Sequence, residues 1–324
     1  MIHYFFRIVP HSRPPFFYLI CILYHFGLVR PACGKSKKGY LFFAKIKVMQ
    51  FRSAAVFYNI RKTSVAPLAQ EVRDYLAQKG LAVRVITSLD ELAEHPADLL
   101  VSMGGDGTML CCARAAAPLH IPIFGINCGT LGFLAACEKN DFKNSLQQLL
   151  DGKCALNERF MLQTHLLDQD GQVQEFLAFN DCVLRAAEPR SFLTQAAFNG
   201  IKIPSYFGDG VIVSTPTGST AYSLAAGGPI IEPEVDVLLV TPICPHTLNQ
   251  RPLILPGNAT LTLAPTFKQE TSRALASIDG QINLFLPPGA KLEITRSPVR
   301  AKLLCPKERG FFSILNRKLN WGNR

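Results

Sequence analysis

The spacing of the apolar residues changes near Asn157, and this change divides the chain into two parts that must fold differently. Before it, short apolar runs alternate with segments of helical periodicity. The runs lie at 54–58, 82–86, 99–103 and 121–126, and the helical segments at 65–78, 108–116 and 142–150. This alternation predicts a parallel sheet with helices on its faces. From 157 to 294 the strand-like runs are short and separated by Gly, Pro, Asn and Asp, which predicts an all-β region.

A chain of 324 residues has room for two domains of ordinary size. We predict a basic leader at 1–48, an α/β nucleotide-binding domain at 49–155 and an all-β domain at 156–299. The tail at 300–324 is expected to pack back onto the first domain. Its helix should bury one face, which contains Phe312, Leu315 and Leu319.

The net charge of +10 is distributed unevenly. Residues 1–48 contain eight Lys or Arg and no Asp or Glu, so the remaining chain has 26 basic and 24 acidic residues. A nucleic-acid-binding protein would instead spread basic residues over a folded face. We therefore expect no nucleic-acid partner.

The leader contains one apolar run of 14 residues, Phe16 to Val29. Such a run is shorter than the ~20 residues that span a bilayer, and its length is that of a signal-peptide core. It is rich in aromatic residues, and no convincing small-residue cleavage site follows it. The alternative is that translation starts at Met49, directly before the first strand-like run. We favour this alternative and expect no stable membrane insertion.

The ten cysteines include no pair with C-x-x-C spacing, so no structural zinc site is expected. Most of them neighbour apolar residues, where a free cysteine behaves as a small hydrophobic residue. Cys111 and Cys112 are expected on the buried side of a helix. This usage favours a reducing, cytoplasmic compartment.

A glycine-rich segment, Gly104-Gly105-Asp106-Gly107-Thr108, follows a buried apolar run. Glycines at this point let several backbone N–H groups face one concavity, where they bind phosphate oxygens, and the next helix adds its positive N-terminal end. Asp106 can accept a proton from an attacking hydroxyl or organise Mg²⁺ near the phosphates. The alternative is a tight turn in which Asp106 makes only local hydrogen bonds.

A second segment, Thr217 to Ser223 followed by Gly227-Gly228-Pro229, consists almost entirely of small, hydroxylic and turn-forming residues. It continues from the strand-like run that starts after Asp209. Tyr222 offers an aromatic face for a purine or pyridine ring. Asn180-Asp181 adds an amide for an adenine edge and a carboxylate for ribose hydroxyls. The alternative is that these segments have no binding role and are only a hydroxyl-rich turn and a strand-end turn.

Together with three further segments, these motifs resemble the NAD kinase family. The segments are Gly125 to Leu134, Thr241 to Leu248 with Arg251-Pro252, and Ser277 to Gln281. The resemblance runs from about Ala54 to Trp321, in the family's order. It implies a Rossmann-like α/β domain followed by a β-sandwich. It also implies transfer of the γ-phosphate of ATP to the 2′-hydroxyl of the adenosine ribose of NAD.

The resemblance also implies roles for individual residues. Asp106 would be the catalytic proton acceptor, and the ATP-binding residues would be Gly104, Gly105, Gly107 and Thr108. The NAD-binding residues would be Asp106, Gly107, Phe133, Asn180, Asp181, Arg190, Asp209, Thr217, Thr220, Ala221, Tyr222, Ser223, Leu224, Ala225 and Gln281. No protein-held metal site is implied; Mg²⁺ would act with ATP. NAD and ATP would be the partners of a homo-oligomer, either dimer or tetramer.

Two positions depart from the family pattern. Phe207 stands where some members have a basic residue, and Asp181 stands where many have Glu. The shorter Asp181 keeps the charge but reaches one methylene less far. A change in substrate contacts, or in the use of ATP against polyphosphate, is the expected consequence at Phe207.

Three other functions compete with this prediction. Lipid kinases of the diacylglycerol or sphingosine class share the Gly-Gly-Asp-Gly-Thr segment but not the one from Thr217 to Tyr222. Phosphofructokinase-like enzymes are disfavoured by the all-β second half. A non-catalytic NAD sensor would not need Asp106 beside phosphates. His246 is a further candidate base, but its Cys-Pro-His-Thr setting favours a structural histidine.

Overall fold

The computed structural model describes residues 51–129, 132–247, 249–267, 273–307 and 310–320. The predicted leader and Trp321 lie outside these residues. No helix among the described residues combines the length and the apolar character that crossing a membrane requires.

The first sheet has seven strands in the order β2-β1-β3-β4-β19-β6, with the short β5 paired to β4. Its strands are β1 Ser53–Tyr58, β2 Ala82–Ile86, β3 Leu99–Gly104, β4 Ile123–Asn127, β5 Cys137–Glu138, β6 Cys154–Arg159 and β19 Ala301–Pro306. All pairs are parallel except β19 with β6. The helices before the second region are α1 Ala66–Gln78, α2 Glu91–Glu94, α3 Asp106–Ala116 and α4 Phe142–Leu150.

Helices cover both faces of this sheet, which explains why its central strands are apolar on both sides. Every residue of β3 is buried. On one face, Leu76 of α1 and Leu146 of α4 join a buried cluster with the strands. On the other face, Met109 and Cys112 of α3 do so. This arrangement confirms the predicted parallel α/β fold.

The second region contains two six-stranded antiparallel sheets. One has the order β11-β10-β15-β18-β7-β8, with β7 Leu162–Leu167, β8 Val173–Ala178, β10 Phe192–Phe198, β11 Ile201–Gly208, β15 Leu261–Thr266 and β18 Lys291–Arg296. The other has the order β14-β13-β12-β9-β16-β17, with β9 Asp181–Ala186, β12 Gly210–Ser214, β13 Val237–Ile243, β14 Leu253–Pro256, β16 Ala274–Ile278 and β17 Ile282–Leu286.

The two sheets share one hydrophobic core, as the predicted β-sandwich requires. Alternate residues of β7 are buried, and Leu162 and Leu166 belong to that core. Leu184 of β9 and Val213 of β12 contribute to it from the other sheet. The alternation of strand residues therefore produces the sandwich, one face of each sheet turning inward.

The tail enters the first sheet through β19, which lies between β4 and β6. It ends in α6 Phe311–Leu319. The predicted apolar face of this helix is right at Leu315, which is buried, and wrong at Phe312 and Leu319, which are 63% and 42% exposed. Ile314 is buried as well. Two overlapping stripes have helical spacing here, and the one through Phe311, Ile314 and Leu315 is used. Periodicity alone does not separate two stripes of equal apolar content.

Candidate active site

Asp106 lies in the first turn of α3, immediately after β3. The helix starts two residues earlier than predicted, because extended Gly105 is its N-cap and an acidic first-turn residue suits a helix N-terminus. The Asp106 carboxylate accepts hydrogen bonds from the backbone N–H of Phe133 at 2.9 Å and of Leu134 at 3.2 Å. A Cβ at Gly132 would overlap Oδ1 of Asp106. The carboxylate is therefore held in one orientation.

A cleft of about 290 Å³ opens beside this turn. Gly104, Gly105 and Asp106 line it, together with Lys62 of the β1–α1 connection and Lys318 of α6. A Cβ at Gly105 would meet nothing within 4 Å, so the glycine leaves space at the cleft. The cleft thus combines a helix N-terminus with two cations, which suits phosphate groups.

Thr108 is placed differently from a cleft residue. It is 7% exposed, and a Cβ at Gly104 would overlap its side chain. Thr108 therefore packs behind the turn and explains why residue 104 is glycine.

The turn between β8 and β9 carries Asn180 and Asp181, and a third carboxylate organises it. Asp279 accepts hydrogen bonds from the backbone N–H groups of Phe179, Asn180 and Asp181. Asp279 and Gly280 have positive φ angles of 52° and 66° and join β16 to β17. An Asp-Gly pair with two positive φ angles is the favoured chemistry of a tight hairpin turn.

A second cleft, of about 470 Å³, lies at this turn. Asn180, Asp181, Ala221, Tyr222 and Asp279 are among its lining residues. Burial, and secondly the neighbouring charge of Asp279, raise the pKa of the Asp181 carboxyl to about 7. Among the described residues, no hydrogen bond to the Asp181 side chain is present, so its oxygens are available to a ligand.

The segment predicted as a loop after β12 is mostly helical. Thr217–Thr220 form a 3-10 turn and Tyr222–Ala225 form the short helix α5. Gly218 approaches the Asn180 carbonyl so closely that a Cβ would overlap it. Thr215 reinforces this contact, since its N–H donates to the Asn180 carbonyl at 2.8 Å and its hydroxyl to that of Phe179 at 2.7 Å.

The predicted side chains of this segment differ in their availability. Tyr222 is 45% exposed at the cleft, whereas Ser223 is buried and its hydroxyl is hydrogen-bonded to that of Thr241 at 2.8 Å. Leu224 is half-buried and Ala225 is exposed. Tyr222 is thus free to stack on a ring, and the Ser223 hydroxyl is not free to bind one.

Phe133, Thr217 and Thr220 line a third cleft, of about 220 Å³. Phe133 connects this cleft to Asp106, because its N–H donates to that carboxylate. Oγ1 of Thr217 is buried and has no hydrogen-bond partner among the described residues. A bound molecule can supply that partner.

Arg190 and Asp209 are not among the residues that line these clefts, although Arg185, which pairs with Gly210 beside Asp209, lines the second one. Asp181 pairs with Ser214 at one end of the β9–β12 ladder, and Arg185 pairs with Gly210 at the other. Asp209 is therefore five residues from Ser214, roughly 17 Å along the strand. At that far end Ser191 Oγ lies 3.2 Å from Asp209 Oδ1 and 2.7 Å from Nε2 of His246.

Gln281 contacts the first domain rather than an open cleft. Its Nε2 donates to the Gly107 carbonyl at 2.8 Å, and its Oε1 accepts from Arg114 at 2.5 Å and from the Cys111 thiol at 2.9 Å. Only Cys112 of the adjacent pair is buried, so the expectation that both cysteines face the core is wrong for Cys111. Cys111 and Cys112 are neighbours on a helix and point about 100° apart.

Sequence reasoning missed three lining residues, Lys62, Asp279 and Lys318, and also Arg114, which is hydrogen-bonded to Asp279. Only Asp279 carried a local signal, the Asp-Gly turn within the Ser277 to Gln281 segment. Among the described residues, no group of three or more His, Cys, Asp or Glu side chains is arranged to hold a metal ion.

Comparison with known proteins decides the family. Residues 45–154 match the family described as the ATP-NAD kinase N-terminal domain, and residues 180–305 match the ATP-NAD kinase C-terminal domain. The chain belongs to the NAD kinase family. The C-terminal match covers the half in which lipid kinases differ, so the comparisons give the lipid-kinase and sensor alternatives no support.

Individual NAD kinases are similar over most of the chain. The protein named NAD kinase from Koribacter versatilis is 41% identical, with 84% of this chain and 99% of that protein covered. The NAD kinase of Heliobacterium modesticaldum is 36% identical, with 83% and 99% covered. The crystal structure of yeast NADH kinase complexed with NADH superposes with a TM-score of 0.76 at 24% identity, covers 91% of this chain and 96% of that chain, and shows the shared fold.

Proposed function

We propose that Asp106 is the proton acceptor of this NAD kinase. The family's reaction passes the γ-phosphate of ATP to NAD. In that reaction the acceptor ribose oxygen forms a bond to the γ-phosphorus, the bond to the leaving ADP breaks, and the hydroxyl proton passes to a base. The observation that carries the assignment is the Asp106 carboxylate, held by the N–H groups of Phe133 and Leu134 at the edge of a phosphate-sized cleft.

The cleft at the start of α3 is the proposed site of the ATP phosphates. Its backbone at Gly104 and Gly105 and the helix N-terminus attract phosphate oxygens, and Lys62 and Lys318 offset their charge. Mg²⁺ usually keeps several waters and binds substrate phosphates, so it would act with ATP in this cleft. When bound, the ion would neutralise charge on the phosphates.

The cleft at Asn180 and Asp181 is the proposed site of NAD. Tyr222 offers a face for a ring, and the unpaired Asp181 oxygens accept from ribose hydroxyls. Phosphoryl transfer depends mainly on alignment and charge neutralisation, so holding the ribose against Asp106 is the main task of this cleft. The acceptor atom in this proposal is the 2′-hydroxyl of the adenosine ribose.

A second copy of the chain can supply Arg190 and Asp209, which are not among the residues that line these clefts in one chain. Both lie at the end of the β9–β12 ladder opposite to Asp181. We therefore include a homo-oligomer in the proposal. Mixing Asp106→Asn chains with Asp209→Asn chains tests it: shared sites regain part of the activity, and sites within one chain regain none.

Eight free cysteines among the described residues suit a reducing compartment, so cytoplasmic location is part of the proposal. Incubation with ATP, Mg²⁺ and NAD tests the function, with NADP measured by an NADP-specific dehydrogenase. NADP formation that depends on Asp106 supports the proposal. Failure to form NADP while NAD still binds would reject it, as would near wild-type turnover by Asp106→Asn.

A further inference from the structure

Arg114 connects the helix that carries Asp106 to the turn that carries Asp279. It lies two turns after Asp106 on α3. Its Nη1 donates to Asp279 Oδ2 at 2.5 Å, and its Nη2 donates to Gln281 Oε1 at 2.5 Å. Only 14% of the Arg114 side chain and none of the Asp279 side chain is exposed. The pair is thus a buried contact between the two domains.

The side chain of Gln281 adds further hydrogen bonds between this turn and the helix α3. Its Nε2 donates to the carbonyl of Gly107, the residue next to Asp106, at 2.8 Å. Its Oε1 accepts from Arg114 and from the Cys111 thiol. Both ends of the amide are therefore used within the protein, which favours a positioning role for Gln281 over direct contact with NAD.

Asp279 also contacts the turn that carries Asn180 and Asp181, which line the cleft proposed for NAD. Besides Arg114, its carboxylate accepts the backbone N–H groups of Phe179, Asn180 and Asp181. A shift of α3 relative to Asp279 must therefore stretch either the ion pair or the hydrogen bonds to this turn.

We propose that Arg114 and Gln281 are positioning residues that set the distance between Asp106 and the Asn180–Asp181 turn. The proposal rests on the function assigned above and adds which residues align the cleft proposed for ATP with the cleft proposed for NAD. Alignment is worth much in phosphoryl transfer, since a misplacement of about 1 Å can reduce the rate roughly 10²-fold. Arg114 and Gln281 would touch neither ATP nor NAD.

The bond pattern explains why residue 114 should be Arg and not Lys. A planar guanidinium donates to two acceptors at once in fixed geometry, whereas an ammonium is a point charge on a flexible stem. Arg114 uses this fork on a carboxylate and an amide oxygen. Lys could keep the charge beside Asp279 but not both bonds in the same geometry.

The positive charge of Arg114 also has an electrostatic consequence. Asp279 raises the pKa of Asp181, and Arg114 offsets the charge of Asp279. Loss of Arg114 should raise the pKa of Asp181 still further. The acid limb of the pH profile for NAD use should then move to higher pH, which a loss of stability alone would not cause.

The test compares Arg114→Lys, Arg114→Ala and Gln281→Ala with the surface variant Arg73→Ala. Arg73 also forms an Arg–Asp pair, but an exposed one with Asp74. We expect both Arg114 variants to lower kcat about 10- to 100-fold, with KM for ATP changed less than about threefold. In Arg114→Ala the acid limb should shift upward, and added methylguanidinium should restore part of kcat. Arg73→Ala should match the wild type in every measurement.

Thermal unfolding of each variant shows whether it is folded at the assay temperature. If Arg114→Ala is unfolded, Arg114→Lys and Gln281→Ala carry the test. Folded variants with wild-type kcat and an unshifted pH profile would overturn the proposal. An inactive wild-type protein would instead reject the proposed function, so the two failures are distinct.

Discussion

The two halves of the site are built in different ways. On the α/β side, Asp106 and the Gly104–Gly105 turn belong to one continuous strand–turn–helix unit. On the sandwich side, the cleft proposed for NAD is assembled from the Asn180–Asp181 turn, the segment around Tyr222 and the Asp279 turn. The first half depends mainly on local geometry, and the second depends on contacts between distant segments. The following predictions test this difference, from the largest expected effect to the smallest.

Removing the Asp106 charge should have the largest effect on catalysis. Asp106→Asn should lower turnover by a factor of roughly 10² to 10⁴, the usual contribution of a general base. The Asn side chain keeps its shape and still accepts one of the two N–H groups at residues 133 and 134. Steady-state NADP formation measures the effect, and Asp170→Asn on an exposed turn serves as control. Turnover within threefold of wild type would remove Asp106 from this role.

Alanine substitutions at Gly218 and Gly105, one in each half of the site, should change the free energy of unfolding by different amounts. A Cβ at Gly218 would overlap the rigid Asn180 carbonyl, so Gly218→Ala should cost about 1–3 kcal/mol of unfolding free energy and raise KM for NAD. A Cβ at Gly105 meets no protein atom within 4 Å. Gly105→Ala should leave stability nearly unchanged and raise KM for ATP. Denaturant unfolding and the two KM values check this, and equal stability losses would contradict it.

Lys318 and Arg317 offer a matched pair on the tail helix. Lys318 lines the cleft at Asp106, whereas Arg317 pairs with Glu138 at 3.1 Å. Lys318→Gln should raise KM for ATP about tenfold, because one charge-assisted contact to phosphate is lost. Arg317→Gln removes the same charge and should change KM for ATP less than about twofold. Equal effects would mean that net charge, rather than position, matters.

The last prediction concerns the raised pKa of Asp181 and is measured as stability rather than as activity. Between about pH 4 and 7 the folded state retains a proton on Asp181 that the unfolded state has lost. Rising pH therefore lowers the stability of the wild type relative to Asp181→Asn by up to about 1.4 kcal/mol per pH unit, and the difference becomes constant above about pH 7. Urea unfolding at several pH values measures it. A difference independent of pH would show that Asp181 titrates normally.

The sequence predicted the half of the site that is built from consecutive residues better than the half that is assembled from distant segments. The strand–turn–helix unit at Gly104–Thr108 was predictable because its residues are consecutive, with the helix start placed two residues late. Phosphate binding there stays a prediction. The Asp279–Arg114 pair joins residues 165 positions apart, and neither shows its partner in the sequence. The resemblance grouped Asp209 with Tyr222 as NAD-binding residues, yet Asp209 precedes Gly210 at the end of β12 opposite to Ser214 and does not line the cleft that Tyr222 lines.

By itself, the sequence determined the parallel α/β region, the antiparallel sandwich, the family and the strand–turn–helix unit at Asp106, because periodicity and turn chemistry act over a few neighbouring residues. Only the tertiary structure decided which stripe of α6 is buried, which side chains bridge the domains and which predicted residues meet in one chain. Those outcomes depend on the relative placement of elements that contact each other across long stretches of sequence. Gln281 illustrates the two contributions. Its sequence motif predicted a functional role, and its contacts with Gly107 and Arg114 favour positioning of α3 as that role.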